Sequence, residues 1–290
     1  MKMNNLLKMI PVAAMCLLSG LLSPLKAQDD VTARNTFFNL YIGDVHYEHA
    51  EKTQSNLNKV GSAMLDVLQG STVKQHSDYV PAVGEAVKRG ATNVARLIPK
   101  EGGTPQDVEE GDLLLTGAVT SIGTITSLKD KASPADNKAF VELTITLKEL
   151  AHNEIIGTKQ FKKQVSATTS EPSVEKALTT AINALAGDVH GYLKAMFPIY
   201  GQILEKGLEK KDKLKQVYIN LGENYGLYEG QLFTVYKVGM VSDRETKSEI
   251  GRVKVVEVQG EDISLCKVSK GGDAIKAALE NGTKLMLISH

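Results

Sequence analysis

The chain has 290 residues, with 34 Lys and Arg against 34 Asp and Glu, so its formal net charge at pH 7 is zero. No segment is strongly basic, which argues against a nucleic-acid-binding protein, because phosphate backbones are bound by clustered positive charge. Aromatic residues make up only 5% and Trp is absent, which argues against a carbohydrate-binding module that stacks sugars on aromatic faces.

Residues 1–27 have the order of a secretory signal peptide. Lys2 and Lys8 provide a positive start, residues 9–22 are mainly apolar, and Ala27 is a small residue before the polar residues 28–30. The apolar part is shorter than the ~20 residues that a membrane-spanning helix needs. We therefore predict cleavage after Ala27 and export to the periplasm or the outer membrane.

Cys16 offers an alternative, because Ser and Gly follow it as they follow many lipidated cysteines. The residue before a lipidated cysteine is normally small, however, whereas here it is Met15, and Cys16 lies in the middle of the apolar part. The pattern favours a chain that starts at Gln28 without a lipid anchor. Such a chain keeps one cysteine, Cys266, and so forms no internal disulfide.

The segment up to about residue 197 alternates between strand and helix patterns. Apolar spacing of two predicts strands, and spacing of three and four predicts helices. Residues 127–137 are polar, contain Pro134 and are interpreted as a long exposed loop. The predicted elements in chain order are strand 36–42, helix 54–69, an extended piece 71–74, helix 79–97, strands 112–122, 140–150 and 154–165, and helix 173–196.

The character changes after residue 198 to short strands separated by turns. Five short strands in about 75 residues predict a small closed or partly closed β-barrel. Gly222, Gly226 and Gly230 are interpreted as turn residues with unusual backbone angles. The predicted elements are strands 215–221, 231–238, 250–258, 262–269 and 284–288, with helix 274–280 between the last two.

Several of these segments resemble known families. Residues 110–120, the hairpin 141–158 and the long helix with Ala177, Ala181 and Ala184 resemble the CsgG-like domain of curli secretion channels. The same core occurs in lipoprotein activators of penicillin-binding proteins. Residues 217–236, 250–254 and 282–286 resemble the SH3-like C-terminal domain of flagellar assembly protein T.

The resemblance and the element order together predict an α+β fold. It comprises a signal peptide (1–27), a layered αβ domain with a mixed sheet (28–198) and a small SH3-like β-barrel (199–290). No further long apolar run follows the signal peptide, so no transmembrane segment is expected in the mature chain. The resemblance implies an envelope protein that assembles with other proteins.

One cluster has metal-ligand character: Asp44, His46, Glu48 and His49. On a strand, Asp44, His46 and Glu48 would share one face, and carboxylate and imidazole groups are ligands for zinc. The spacing matches no established zinc motif. The alternative interpretation is a solvated polar connection after the first strand.

Other reactive residue types stand alone in the sequence. His152 lies in a predicted turn and His190 on a polar helix face, without an evident nucleophile partner. Cys266 lies in a strand and is interpreted as a small buried apolar residue. Residues 271–273 precede a helix but lack the Lys-Ser/Thr ending of a phosphate loop, so a turn is favoured.

The leading hypothesis is therefore a non-enzymatic exported envelope protein that acts in assembly or protein interaction, with no cofactor. Its expected partners are envelope proteins or further copies of itself. An activator of a cell-wall synthase is the alternative, and an envelope hydrolase or metal-binding protein, based on His46 and His49, is the third. The sequence leaves open the partner, the oligomeric state and the envelope compartment.

Overall fold

A computed structural model describes residues 34–48, 71–100, 102–127, 136–167, 171–211 and 213–289. The signal peptide with Cys16 and the predicted helix 54–69 lie outside these ranges. The described residues form two large sheets, each with its own cluster of buried apolar side chains. We call residues 34–197 the αβ layer and residues 199–289 the β-rich unit.

In its described residues, the αβ layer has a mixed six-stranded sheet and two α-helices. The elements are β1 (Phe38–Tyr47), β2 (Ser71–Gln75), α1 (Val80–Ala91), β3 (Leu97–Lys100), β4 (Asp112–Ser127), β5 (Asp136–Glu149), β6 (Glu154–Ala167) and α2 (Glu171–Met196). The strand order is β3-β1-β4-β5-β6, with β2 paired to β4. β1 runs parallel to β3 and β4, and the remaining pairs are antiparallel.

Both helices cover the same face of this sheet. Along β5 the predicted alternation is present, because Val141, Leu143 and Ile145 are fully buried while the residues between them are partly exposed. On α2, Leu185 and Val189 are fully buried at the spacing of four that one helix face requires. The long helix and the hairpin of the sequence analysis are thus confirmed.

Strand β1 changes its inward face near Gly43. Leu40 and Ile42 face the helices, but a bulge between Ile42 and Val45 makes Val45 the next inward side chain. A bulge inserts one residue and so shifts the two-residue alternation by one. The strand therefore continues to Tyr47, five residues beyond the predicted end at residue 42.

The predicted helix 79–97 is partly wrong. α1 ends at Ala91, a turn follows, and residues 97–100 form the edge strand β3, which pairs with β1 from Phe38 onwards. Asn93 and Arg96 have positive φ angles of 58° and 67°, which a helix does not permit. The side-chain spacing continues across the turn, so the pattern alone did not reveal the break.

The β-rich unit is a seven-stranded sheet that closes nearly into a barrel. The elements are β7 (Tyr200–Gly201), β8 (Ile203–Lys206), β9 (Glu209–Lys210), β10 (Lys213–Leu214), β11 (Gln216–Ile219), β12 (Leu232–Val241), β13 (Arg244–Val258), β14 (Ser264–Lys270), α3 (Gly272–Glu280) and β15 (Leu285–Ser289). The strand order of the large sheet is β7-β15-β12-β13-β14-β11-β8, and β9 and β10 form a separate pair. The α+β class with a barrel-like second sheet is confirmed.

Two details of the β-rich unit differ from the sequence analysis. The strands β7 to β10 were not predicted, because residues 200–214 are rich in charges and short of apolar alternation. Residues 242–249 were interpreted as a connection, but Ser242 and Asp243 alone turn the chain, with positive φ angles of 48° and 63°. Two-residue hairpin turns of this kind need positive φ at both positions.

The turn glycines act in two different ways. Gly226 and Gly230 have φ angles of 64° and 95°, as predicted. Gly222 has an extended φ of −150°, so the predicted unusual angle is wrong there. Its requirement is space, because a Cβ at Gly222 would meet the backbone of Gly260 and Glu261 at van der Waals overlap.

The N-terminal residues of the αβ layer join it to the β-rich unit. The Asn35 side chain is buried; it donates a hydrogen bond to Tyr200 O (2.6 Å) and accepts one from Tyr200 N–H (2.8 Å). Phe197 belongs to the first apolar cluster and Ile199 to the second. The domain boundary near residue 198 remains a prediction, although the clusters change at this point.

Among the described residues, no helix is both long and apolar enough to cross a membrane.

Candidate functional site

The predicted metal-ligand residues lie on and just beyond β1. Asp44 and His46 are exposed residues of the strand, and exposed Glu48 directly follows it. His49 lies outside the described residues. The interpretation of this segment as a connection is wrong for residues 44–47, since they pair with β4 or bulge from that pairing.

No group of three or more His, Cys, Asp and Glu side chains within the described ranges is placed to hold a metal ion. Metal binding that involves His49 therefore stays a prediction. Of the other single residues, His152 lies in the predicted turn and pairs with Glu149 at 3.0 Å. The Cys266 side chain is fully buried, and burial raises its pKa to about 12.

A cleft of about 490 Å³ lies where the αβ layer meets the β-rich unit, and we call it the junction cleft. Its volume is within the range of ligand-binding pockets. Residues from both units contribute to its walls. The lining residues are Phe37, Asn93, Val94, Ala95, Arg96, Leu97, Ile98, His190, Lys194, Tyr225, Gly226, Tyr228 and Gln231.

Four chain segments position these side chains. Phe37 directly precedes β1, and residues 93–98 comprise the end of the turn after α1 and the first two residues of β3. His190 and Lys194 are four residues apart on α2, so they lie on one face of the helix. Residues 225–231 connect a short 3-10 turn to β12, with positive φ at Gly226 and Gly230.

Aromatic and apolar side chains form much of the cleft surface. The rings of Phe37 and Tyr225 stack with centroids 6.3 Å apart and planes at 19°. Phe37, Ile98 and Tyr228 remain 43%, 44% and 55% exposed. Large apolar side chains that stay exposed close together mark binding surfaces more often than single ones do.

Gln231 lines this cleft, and its side-chain amide oxygen has no hydrogen-bond partner among the described residues. The residue is only 3% exposed, and its Oε1 atom is buried with no hydrogen-bond donor among the described residues. Its backbone is held on both sides, because its N–H donates to Tyr228 O and its carbonyl accepts from Val255 N–H. Leaving such an acceptor buried and unpaired costs about 1–3 kcal/mol.

The charged groups of the cleft carry one sign. Arg96 and Lys194 are cationic, and the described lining residues include no Asp or Glu. Lys194 forms no ion pair with any residue in the described part of the chain. The cleft therefore presents an electrostatic environment that favours an anionic group.

Arg96 also fixes the shape of the cleft. Its guanidinium is mostly buried, donates hydrogen bonds to Thr36 O and Pro198 O (both 3.0 Å), and lies 5.5 Å from the Phe38 ring centroid. Burial lowers the pKa of this guanidinium. The positive φ of Arg96 is a strained conformation that the contacts on both units maintain.

A second depression, of about 770 Å³, lies beside α1 and includes Asp44 among its lining residues. Its lining includes charges of both signs, those of Lys88 and Lys100 and those of Asp44 and Glu85. Lys88 pairs with Glu85 at 2.9 Å. The depression thus lacks the single sign of charge and the unpartnered buried group that distinguish the junction cleft.

Sequence reasoning had singled out two lining residues of the junction cleft, His190 as a lone histidine and Gly226 as a turn glycine, and neither as part of a site. Phe37, Arg96 and Gln231 were not singled out, because they are distant in the chain and belong to no motif. One local signal was present: Tyr225 and Tyr228 lie within a glycine-marked turn of a chain that has few aromatic residues.

No family model matches the chain, and no curated protein does. Among solved structures, the chain is similar to a Xanthomonas campestris protein of the DUF330 family, with 11% identity and a TM-score of 0.36 over 55% of this chain and 85% of that one. A hypothetical protein of Chlamydia trachomatis has 9% identity and a TM-score of 0.31, over 56% and 94% of the two chains. A minor lipoprotein of Acinetobacter baumannii has 12% identity and a TM-score of 0.27, over 56% and 93%.

At these identities and TM-scores, the neighbours supply no functional argument for this chain. The resemblance to the CsgG-like domain and to flagellar assembly protein T likewise stays a prediction.

Proposed function

We propose that this chain is a non-enzymatic protein of the cell envelope that works by binding another polypeptide in the junction cleft. The export pattern of residues 1–27 supports the envelope location. Activation of a cell-wall synthase, the alternative from the sequence, differs from this proposal only in the identity of the bound polypeptide, as does assembly with further copies. The third hypothesis, an envelope hydrolase or metal-binding protein, stays a separate prediction.

One observation carries the proposal: exposed aromatic and aliphatic side chains surround a buried, unpartnered amide in a cleft between two folded units. Tyr228 and Phe37 supply large contact areas, as do the anchor residues of protein interfaces. Gln231 supplies a polar group that a partner must satisfy. Together these groups are suited to hold a ligand rather than to transform one.

The proposal is tested by site-specific cross-linking in cells that export the full chain. A photoreactive phenylalanine analogue replaces Tyr228, which is 55% exposed in the cleft, and in a separate strain it replaces Ile155, which is 61% exposed at the start of the edge strand β6. The two positions are matched in exposure and differ in location. Irradiated products are separated by mass and identified.

We expect a discrete polypeptide adduct from position 228 and not from position 155. The same adduct should weaken when Ile98 is replaced by Asp, since a carboxylate on the 44% exposed rim disturbs the apolar contact. Equal adducts from positions 155 and 228, or none from position 228, would contradict the proposal.

A further inference from the structure

We infer that the occupant of the junction cleft is a peptide segment that presents an apolar side chain with a carboxylate beside it. This inference rests on the proposed function and specifies the chemistry of the partner. Three properties of the cleft lead to it: its apolar walls, its unpaired acceptor and its unopposed positive charge.

The apolar walls require an apolar group in the ligand. The stacked rings of Phe37 and Tyr225 line the cleft together with the partly exposed side chains of Ile98 and Tyr228. An aromatic or branched aliphatic side chain of the partner would bury these surfaces, and a volume of about 490 Å³ accommodates such a group with its backbone.

The unpaired acceptor of the lining residue Gln231 favours a ligand that carries hydrogen-bond donors. Gln231 Oε1 is buried without a donor in the described part of the chain. A peptide backbone has an N–H at every non-proline residue, so a segment that inserts an apolar side chain also brings donors close to it. A fatty acyl chain has no such donor, and this feature favours a peptide over a lipid.

The positive charge of the cleft determines which residues are favoured beside the apolar side chain of the bound segment. Lys194 lacks an ion pair among the described residues, Arg96 lies nearby, and no described lining residue is acidic. A carboxylate next to the apolar side chain would meet complementary charge, whereas a lysine would be repelled.

The partner is expected to bind through its side chains rather than as an added strand. β3 is the edge strand that borders the cleft, but Pro99 has no N–H and the Leu97 N–H already donates to Val94 O at 3.1 Å. An edge with proline and a used donor is a poor template for strand addition.

The test uses NMR titration of the isotope-labelled full mature chain with blocked tetrapeptides. The probes are acetyl-Asp-Phe-Asp-Leu-amide, the matched acetyl-Lys-Phe-Lys-Leu-amide, and acetyl-Asp-Gly-Asp-Gly-amide. Sodium oleate is titrated separately as the lipid probe. We expect the acidic phenylalanine peptide to shift resonances of Tyr225, Tyr228 and Gln231, and to bind at least about fivefold more tightly than either other peptide.

Two variants assign the roles of the side chains. Lys194→Glu should weaken the acidic peptide about fivefold and strengthen the lysine peptide, whereas Lys176→Glu, an exposed position near the other end of α2, should change neither. Gln231→Met should weaken the acidic peptide about fivefold while raising the thermal midpoint, because it removes a buried unpaired acceptor. If Gln231 only maintained the fold, Gln231→Met would lower both the affinity for the acidic peptide and the thermal midpoint.

The inference is overturned if the acidic and lysine peptides bind equally, if the shifts lie outside the cleft, or if oleate alone shifts the cleft resonances. If the cross-link at position 228 forms while the acidic peptide has no preference, the proposed function stands and the ligand chemistry is wrong. If the cross-link at position 228 does not form and the acidic peptide has no preference, the proposed function and the ligand chemistry are both wrong.

Discussion

Replacing Gly90 by Ala is expected to destabilise the αβ layer, although alanine is the better helix former. Gly90 lies in α1 where this helix crosses α2, and a Cβ there would lie 2.6 Å from Ala186 O and 2.8 Å from Val189 Cβ. Val189 is fully buried, and Ala186 O belongs to a helix backbone. Neither neighbour can move without separating the helices.

The expected magnitude follows from two opposing terms. Alanine gains about 1 kcal/mol over glycine in a helix interior. An added methyl group in a packed interior costs about 1–3 kcal/mol, and two contacts this short place Gly90→Ala in the upper part of that range. The net loss of unfolding free energy should be about 1–2 kcal/mol.

Gly187→Ala is the matched control, because Gly187 is also helical and an added Cβ there would meet no neighbour. It lies exposed on α2, and no atom is within 4 Å of its Cβ position. Only the propensity gain remains, so this variant should be more stable than the parent by about 0.5–1 kcal/mol.

Urea unfolding followed by far-UV circular dichroism measures both variants, and thermal midpoints should differ by about 2–4 °C per kcal/mol. We expect Gly90→Ala to lower the free energy of unfolding and Gly187→Ala to raise it. A Gly90→Ala variant at least as stable as the parent would refute the close helix contact on which this prediction depends.

Three further predictions concern single groups. The Cys266 thiol should resist a disulfide exchange reagent in the folded protein and react at once in denaturant, because burial raises its pKa to about 12; fast reaction without denaturant would contradict its burial. Arg34 donates a hydrogen bond to the Glu245 carboxylate and thereby lowers its pKa, so the pair stabilises the fold above the ordinary glutamate pKa of about 4.3 and loses this contribution as the pH falls. The urea midpoint of Glu245→Gln should therefore fall less on acidification than that of the parent. An equal fall of the urea midpoint in the two proteins would argue against the pair. Asp44→Ala and His46→Ala should each change stability by less than about 0.5 kcal/mol, since both side chains are exposed. An isothermal titration that detects zinc binding by the parent and its loss in both variants would support the metal hypothesis.

The sequence predicted the fold wherever the apolar pattern stayed in phase. β5 and α2 follow uninterrupted two-residue or three-to-four-residue spacing, and their existence was predicted, although β5 begins at Asp136 rather than at residue 140. β6 was also predicted, and one bulge near Ile156 interrupts its pairing with β5. The pattern was less informative where the phase shifts within an element. At Gly43 a bulge changes the inward side of β1, and the polar residues after it were interpreted as a connection.

The junction cleft could not have been predicted in this way. Its walls join Phe37, Arg96, Lys194 and Gln231, which are brought together only by the packing of the two units. Backbone strain at Arg96 and the unpaired amide of Gln231 are properties of three-dimensional surroundings. No local pattern of residue types encodes either one.

The pair of hydrogen bonds between Asn35 and Tyr200 has a consequence for how the protein forms. These residues are 165 positions apart, and contacts between distant parts of a chain form late because the search for them is slow. A chain that emerges N-terminus first holds Asn35 without this partner until the start of the β-rich unit has followed. The same event brings Phe37 opposite Tyr225, so the junction cleft forms only after residue 225 has followed the N-terminal residues. Under the proposed function, an unfinished chain is expected not to bind the partner.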